Sequence, residues 1–291
     1  MTNAAAGDDE ASHRAVPPRA PTLALPPKRY DEPSVFLPEN LLREGRRQRG
    51  LSDEPVPRVA LLDPDGDIAR YVVTSGSARR HPGWACYHTQ MVVTDLDGEE
   101  VGIVGSAVGG PFAVLVAEQL AVSGAEIVVS MTSAGVIRAD AQLPYFVLID
   151  GALRDEGTSA NYVPPATWSS LSGVLHRQLA GAYDDLSQRV LVGSSWTTDA
   201  PYRETASALA VAQDAGVCCV EMEAASLYAY ASARFQDVVC LAHLTNAMAT
   251  AGDDFEKGED NGAPAALAVV AATVAALRKA HREDVTAAIS Q

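Results

Sequence analysis

The sequence predicts a single three-layer α/β domain in which helices flank a mixed, largely parallel central sheet. From Arg58 onward, short β-rich runs alternate with longer helical runs, a pattern typical of α/β layer folds. No interior linker divides these runs, and no repeat is visible. A chain of 291 residues can bury about three quarters of its unfolded surface, which is enough for one large core.

Each predicted element follows from local pattern. Proline at Pro111 and Pro264 suits a first helical turn, and Leu41 with Leu42 begins a short amphipathic helix whose arginines face solvent. The predicted strands are Arg58–Asp63, Met91–Thr94, Val101–Ser106, Glu126–Met131, Phe146–Ile149, Val190–Gly193 and Val238–Leu244. The longer predicted helices are Pro111–Val122, Trp168–Ala180, Glu204–Asp214, Met222–Arg234 and Pro264–His281. Residues 1–33, rich in Ala, Pro and charge, are predicted to be a flexible tail before a folded domain of residues 34–291.

Charge and composition exclude several classes of function. The chain has 22 Lys and Arg against 37 Asp and Glu, a net charge of −15, so a broad basic face for nucleic acid is not expected. The 4 cysteines lack metal-ligand or disulfide-framework spacing, and the 6 histidines form no i, i+4 pair, so we expect no metal site. The N-terminus lacks an apolar signal region, and the run Ala265–Leu277 is too short to span a bilayer. The predicted location is the cytoplasm, with no membrane partner.

Several strand ends carry groups that could bind an anion. Asp65-Gly66-Asp67 follows the first strand, and Arg70 lies four residues after Gly66. A glycine turn allows close approach of backbone to an anion, and arginine offers fixed donors, although Asp-Gly is also an ordinary hairpin turn. The small-residue connection 105–111 lacks the pattern of a Walker loop or a dinucleotide fingerprint. Ser133 ends a later strand, at the sheet edge where ligands bind in open α/β folds.

The acidic run Glu221-Met222-Glu223 is the clearest indication of a functional site among these segments. Its two carboxylates flank a thioether between an apolar strand and an Ala-rich helix. Acidic residues at a helix start also suit the helix dipole, so stability alone could account for one of them. Asn246 ends the strand that begins at Val238, and its amide can both donate to and accept from a heterocyclic base. A turn or helix cap is the alternative for Asn246.

Taken in order over about residues 58–280, these segments resemble the nucleoside phosphorylase family, which includes uridine phosphorylase and the hexameric bacterial purine nucleoside phosphorylases. The clearest part is the run 220–225, Val-Glu-Met-Glu-Ala-Ala, which resembles the ribose-binding motif. The resemblance implies phosphate contacts by Gly66, Arg70 and Ser133, ribose contacts by Glu221, Met222 and Glu223, and base contacts by Tyr202, Arg203 and Asn246. It further implies that Arg70, Glu223 and Asn246 are catalytic and that the segment Thr197–Tyr202 covers the base.

The chain also departs from the family pattern. Ser130 stands where the resemblance implies a second phosphate arginine, Tyr87 and His88 stand near a third that a neighbouring subunit supplies, and Pro201 replaces an aromatic residue over the base. The candidates to replace the missing cations are Arg79, Arg80, His88 and Arg203.

The sequence therefore predicts a pentosyltransferase that cleaves a nucleoside with inorganic phosphate as co-substrate, with no cofactor, in a homodimer or a hexamer of dimers. Two alternatives stay open. Water could replace phosphate, which would make the protein a nucleosidase, or the chain could bind or store nucleosides without turning them over. The sequence does not choose between purine and pyrimidine bases.

Overall fold

The structure is a computed structural model that describes residues 27–138, 142–246 and 257–289. Its strands are β1 (Val59–Asp63), β2 (Ala78–Arg80), β3 (Met91–Leu96), β4 (Glu99–Gly105), β5 (Ile127–Val136), β6 (Tyr145–Asp155), β7 (Trp168–Ser170), β8 (Val190–Thr198), β9 (Cys219–Glu221) and β10 (Asp237–Asn246). Its α-helices are α1 (Pro38–Arg49), α2 (Asp67–Thr74), α3 (Gly110–Val122), α4 (Gly173–Gln178), α5 (Ala206–Asp214), α6 (Ala224–Arg234) and α7 (Ala263–Ile289).

All these strands belong to one mixed sheet, in the order β10-β6-β8-β9-β5-β1-β4-β3-β2, with β7 paired to β6. β1 pairs in parallel with both β4 and β5, and β10 pairs in parallel with β5. Antiparallel pairs include β3 with β4 and β6 with β10. Because β10 pairs with β5 as well as β6, the strands β5, β10, β6, β8 and β9 close into a ring. The predicted mixed α/β fold is confirmed.

The core lies on both faces of this sheet. Every residue of β1 is buried, α2 packs against this strand, and α3 and α6 pack against each other. The part of the C-terminal helix within 259–282 is long and apolar enough by itself to cross a membrane, a property that core helices share. Val269, Val270 and Leu277 of this helix are buried, so we assign it to the core.

The structure corrects two predicted elements. Residues 168–180 are not one helix, because Trp168–Ser170 pairs with β6 as a strand and the helix begins only after Ser172 caps it. The helix predicted from Met222 begins at Ala224, which leaves Met222 and Glu223 in the connection between β9 and α6. The turn at Gly66 is not a hairpin, because α2 follows it.

The predicted tail falls mostly on residues that the structure does not describe. Residues 1–26 lie outside the described ranges, whereas residues 27–33 are described and exposed. Tyr30 Oη donates a hydrogen bond to the carbonyl of Ala160 at 3.4 Å, so this end of the segment contacts the domain. The boundary at residue 33 stays a prediction.

A close approach of α3 to α6 at Gly110 generates the first prediction. A Cβ at Gly110 would lie 2.9 Å from Ser226 Cβ and closer still to the Ser226 hydroxyl. Gly110→Ala should therefore lower the free energy of unfolding by about 1–3 kcal/mol, as overpacked cores do. The matched control is Gly173→Ala in the exposed first turn of α4, where the nearest atom is 3.6 Å away and no loss is expected.

Urea unfolding of the two variants measures this difference. Adding Ser226→Gly to Gly110→Ala should restore part of the lost stability, because it removes the two contacting atoms. Equal stability of Gly110→Ala and Gly173→Ala would contradict the close packing of these helices.

Candidate active site

A cavity of about 360 Å³ opens at the ends of the central strands. Strand registers explain how it forms: Gly135 of β5 lies opposite Asn246 of β10 on one side and opposite Val220 of β9 on the other. Its described lining residues are Pro64, Asp65, Val108, Thr132, Ser133, Gly135, Pro201, Tyr202, Glu204, Val220, Glu221, Met222, Glu223 and Asn246. The ring of strands thus brings side chains more than 100 residues apart into one concave site.

Glu223 is the least satisfied polar group in the cavity. Its residue is 1% exposed, Oε1 accepts a 2.7 Å hydrogen bond from the Gly109 N–H, and Oε2 has no hydrogen-bond partner of good geometry among the described residues, although the nearby Thr132 hydroxyl acts to lower the pKa of this carboxyl. Burial, and next the charge of Glu221, raise the pKa of Glu223. A buried carboxylate oxygen without a partner is costly, and a hydroxyl-bearing ligand in the cavity would supply the missing donor.

Glu221 has the opposite character, because all its acceptor capacity is used inside the protein. Oε1 accepts hydrogen bonds from the hydroxyls of Ser195 at 2.9 Å and Thr197 at 2.5 Å, both on β8. Oε2 accepts from the backbone N–H groups of Glu223 and Ala224, each at 2.7 Å. Burial raises the pKa of Glu221, and these hydrogen bonds oppose the rise. We infer that Glu221 is a positioning residue that holds the start of α6, and with it Glu223.

The loop after β4 also holds Glu223 in place, through a backbone hydrogen bond. Gly109 has a φ of 85° and caps α3, so its N–H points out of the helix and reaches Glu223 Oε1. The N–H at the start of α3 therefore reaches Glu223, whereas the first N–H groups of α6 donate to Glu221. Helix N-termini favour anions, and this placement favours the ionised form of Glu223 against its burial.

Beside the cavity, an acidic loop follows β1. Asp63 is buried and accepts hydrogen bonds from the backbone of Gly66 and Ala69 at 3.1 and 2.8 Å, and burial raises its pKa to about 6. Gly66 has a φ of 74°, and a Cβ there would lie 2.9 Å from Ser106 Oγ. Asp65 Oδ2 accepts from the backbone N–H of Ser133 at 2.9 Å and also from the Ser133 hydroxyl.

Two cations flank this loop and share one carboxylate. Asp67 Oδ1 lies 2.6 Å from Arg70 Nη1, and Asp67 Oδ2 lies 2.7 Å from Lys257 Nζ. Burial alone would raise the pKa of Asp67, but hydrogen bonds from Lys257 and Arg70 outweigh it and hold the pKa below its ordinary value. Lys257 Nζ also lies 3.5 Å from Asp65 Oδ2.

Below the loop, His243 is a buried neutral base. Its ring stacks on Phe146 with centroids 4.4 Å apart, and burial, with the nearby charge of Lys257, lowers its pKa to about 4. Among the described residues, no group of three or more His, Cys, Asp or Glu side chains is arranged to hold a metal ion.

Most residues predicted for the site lie together. Ser133, Tyr202, Glu221, Met222, Glu223 and Asn246 all line the cavity. Gly66, Arg70 and Arg203 do not line it within the described chain, although Gly66 ends the adjoining acidic loop and Arg70 lies in α2, which follows it. The N–H of Gly66 donates to Asp63, and the Arg70 side chain is 59% exposed.

The positions that depart from the family pattern bring no guanidinium into the cavity. Ser130 is buried within β5, and Tyr87 Oη donates to Gln48 on α1. None of the proposed replacements lines the cavity in the described part of the chain: these are Arg79, Arg80, His88 and Arg203. Arg79 pairs instead with Glu100 at 2.9 Å.

Sequence reasoning did not assign a role to four groups that the structure brings to the site. They are the carboxylate of Asp65, the N–H of Gly109, the hydroxyl of Ser195 and the amine of Lys257. Thr197, predicted to begin the segment that covers the base, is instead buried in β8 and donates its hydroxyl to Glu221. Lys257 carried a usable signal, since it is the only lysine in the acidic, glycine-punctuated segment after β10. The contacts of the other three depend on strand register and loop geometry, which local sequence does not specify.

The cavity lies at the ends of the sheet strands and is lined by the buried carboxylate of Glu223, one oxygen of which lacks a hydrogen-bond partner of good geometry among the described residues. This arrangement defines an enzyme site for a small molecule. Residues 66–276 match the model of the phosphorylase superfamily. The chain belongs to this superfamily, and the family predicted from its sequence is confirmed.

Individual proteins agree with this assignment. The chain is 28% identical over 187 residues to a guanosine phosphorylase of Halorubrum lacusprofundi, covering 59% of this chain and 76% of that protein. It is 26% identical over 148 residues to a uridine phosphorylase of Thermococcus kodakarensis, covering 47% of this chain and 53% of that protein.

Solved structures show the same fold. A uridine phosphorylase of Vibrio fischeri superimposes with a TM-score of 0.65 at 20% identity, covering 77% of this chain and 94% of that one. The purine nucleoside phosphorylase of Toxoplasma gondii, in complex with immucillin-H, gives a TM-score of 0.68 at 16% identity, covering 79% and 94%.

The four hydrogen bonds of Glu221 generate a stability prediction. Glu221→Ala leaves buried donors of β8 and α6 without an acceptor, so the free energy of unfolding should fall by about 2–4 kcal/mol. Glu221→Gln should cost less, because its amide oxygen can accept from the two backbone N–H groups while the hydroxyls reorient to accept from its NH₂ group. Glu204→Ala, in the same cavity lining, is the control and should change stability little. Chemical denaturation measures all three, and equal stability of the Glu221→Ala and Glu204→Ala variants would contradict the positioning role.

Proposed function

We propose that the protein is a nucleoside phosphorylase that cleaves the N-glycosidic bond of a nucleoside with inorganic phosphate. The observation that carries the proposal is the buried carboxylate of Glu223, which lines a cavity of about 360 Å³ together with the hydroxyl of Ser133 and the amide of Asn246, and whose Oε2 has no hydrogen-bond partner of good geometry among the described residues. Membership of the phosphorylase superfamily and the names of the relatives, guanosine phosphorylase and uridine phosphorylase, support it.

In this proposal Glu223 binds the pentose. Its Oε2 accepts a hydrogen bond from a ribose hydroxyl, while the Gly109 N–H and Glu221 hold the carboxylate in place. Met222 lines the same cavity and gives the sugar an apolar contact. Fixing the sugar in this way reduces the entropy cost of reaching the transition state, which is a large part of many enzymatic rate enhancements.

The reaction then requires a nucleophile on one face of the sugar and a leaving group on the other. A phosphate oxygen forms the new bond to C1′ as the bond from C1′ to the base nitrogen breaks, and its electron pair leaves with the base. Asn246 lines the cavity and can hydrogen-bond the departing base as charge develops on it. Arg70 and Ser133 are the predicted phosphate contacts, and the products are free base and pentose 1-phosphate.

A nucleosidase is the second candidate, because one observation favours it. The carboxylate of Asp65 already accepts both donors of Ser133, and Ser130 stands where a phosphate arginine is predicted. A carboxylate at this edge of the cavity could orient water instead of phosphate. The base specificity of the chain, its cytoplasmic location and its assembly into homodimers or hexamers stay predictions.

Release of free base from a panel of purine and pyrimidine nucleosides, with and without phosphate, tests the proposal. We expect release that requires phosphate and yields pentose 1-phosphate, and Glu223→Gln should lower kcat/KM by at least about a hundredfold because it removes a charge-assisted hydrogen bond in a buried site. Glu204→Gln serves as the control in the same cavity lining. Base release that does not depend on phosphate selects the nucleosidase, and binding without release selects a storage protein.

The raised pKa of Glu223 predicts a pH dependence. Because ribose binding uses the ionised carboxylate, kcat/KM should rise with pH along a limb whose apparent pKa lies above the ordinary value of 4.5. The folded protein keeps this proton where the unfolded chain has lost it, so the free energy of unfolding should fall as pH rises above 4.5 through that limb. Glu223→Gln should flatten the fall in stability. A limb at or below 4.5, or an unchanged stability slope in the variant, contradicts the assignment.

A further inference from the structure

One oxygen beside the cavity has the surroundings of a bound anion. Asp65 Oδ2 accepts hydrogen bonds from the backbone N–H and the hydroxyl of Ser133, and lies 3.5 Å from Lys257 Nζ. Two hydrogen-bond donors and an ammonium thus converge on a single carboxylate oxygen. Phosphate oxygens prefer the same donors, because both groups are oxyanions with localised negative charge.

We propose that Ser133 and Lys257 form the anion subsite of this enzyme, and that Asp65 fills it with its own carboxylate until inorganic phosphate displaces it. The proposal rests on the proposed phosphorolysis and deepens it. Lys257 then supplies the positive charge that the position of Ser130 does not provide. The lysine reaches the subsite from the segment after β10, whereas Ser130 lies inside β5, so the two come from different elements.

The burial of the charged groups supports Lys257 as a fixed part of the subsite. The Lys257 side chain is 16% exposed and that of Asp67 is 14% exposed, against 59% for Arg70. Asp67 holds Lys257 and Arg70 through its two oxygens, at 2.7 and 2.6 Å. Asn261 Nδ2 donates to the same carboxylate at 3.4 Å. A half-buried lysine that is held by a half-buried carboxylate keeps its position when the third partner, Asp65, leaves.

Asp65 has the features of a displaceable group. Its side chain is 32% exposed, and it lies in the connection between β1 and α2. Asp65 also lines the cavity that Glu223 lines, so the position of its Oδ2 atom belongs to the same site. Rotation of this carboxylate into solvent would free Ser133 and Lys257 and would remove one negative charge that repels phosphate. The exchange replaces one oxyanion with another and leaves no donor unpaired.

The proposal predicts opposite effects of two substitutions on the phosphate requirement. Lys257→Met removes the ammonium and should raise the KM for phosphate by about tenfold or more, since charge-assisted contacts to phosphate are among the stronger ones. Asp65→Asn removes the competing anion and should lower the KM for phosphate severalfold. Neither change should move the KM for the nucleoside by more than about twofold, because Glu223 and its supports are intact.

The experiment measures initial rates against inorganic phosphate at saturating nucleoside for wild type and variants of the full chain. Lys257→Arg keeps the charge and should restore much of the phosphate affinity that Lys257→Met loses. Lys279→Met is the matched control, because Lys279 is an exposed lysine on α7 and no change is expected. Circular dichroism and thermal unfolding report whether each variant folds; if Lys257→Met does not fold, Lys257→Gln removes the same charge while its amide can still hydrogen-bond the carboxylate of Asp67.

The outcomes separate this proposal from the function on which it rests. Wild-type base release that ignores phosphate overturns the phosphorylase assignment itself. Phosphate-dependent wild type with an unchanged phosphate KM in Lys257→Met overturns only the role of Lys257. Loss of base release in Asp65→Asn at every phosphate concentration overturns the displacement, because Asp65 would then act on the reacting groups.

Discussion

The buried carboxylate of Glu221 is the interaction on which the site depends. It links β8, β9 and the first turn of α6, because its two oxygens accept from Ser195, Thr197, Glu223 and Ala224. Each of these donors belongs to a buried residue and cannot hydrogen-bond to solvent instead. Glu221 therefore fixes where α6 begins, and Glu223 takes its position at the cavity from that point. The ring of strands matters to function chiefly through this carboxylate.

Two neighbouring glutamates have different roles because their surroundings supply different numbers of donors. Four hydrogen bonds compensate the charge of Glu221, whereas Oε2 of Glu223 has no hydrogen-bond partner of good geometry among the described residues. The charge of Glu221 then adds to burial in raising the pKa of Glu223. The negative charge of one buried carboxylate thus shifts the pKa of the carboxylate next to it. Removing Glu221 would change both the position of Glu223 and its ionisation.

Sequence alone predicted the fold class and placed Glu221, Met222 and Glu223 together at the cavity, because these features depend on local signals. Strand and helix periodicity are local, and the run from Glu221 to Glu223 is contiguous. The strand at Trp168–Ser170 was not predicted, because its pairing partner is in β6 and three residues carry little periodicity. The contact of Gly109 with Glu223 joins residues 114 apart, so no local pattern contains it. The roles of Asp65 and Lys257 likewise depend on side chains that meet only after folding.

The two sides of the cavity differ in how they handle negative charge, and this difference bears on the choice of nucleophile. On the side of the two glutamates, the donors to the carboxylates are backbone N–H groups and neutral hydroxyls. On the other side, Asp65 and Asp67 share Lys257, and Asp67 also holds Arg70. A chain with a net charge of −15 repels phosphate at long range, so capture of the anion depends on these two cations at short range. Asp67 already compensates both cations, and in the proposed subsite phosphate must displace Asp65 from Ser133 and Lys257 to enter. Water carries no negative charge and therefore competes poorly with Asp65 for Ser133 and Lys257. In this proposal the strength of the contact between Asp65 and these donors determines how strongly the site discriminates between phosphorolysis and hydrolysis.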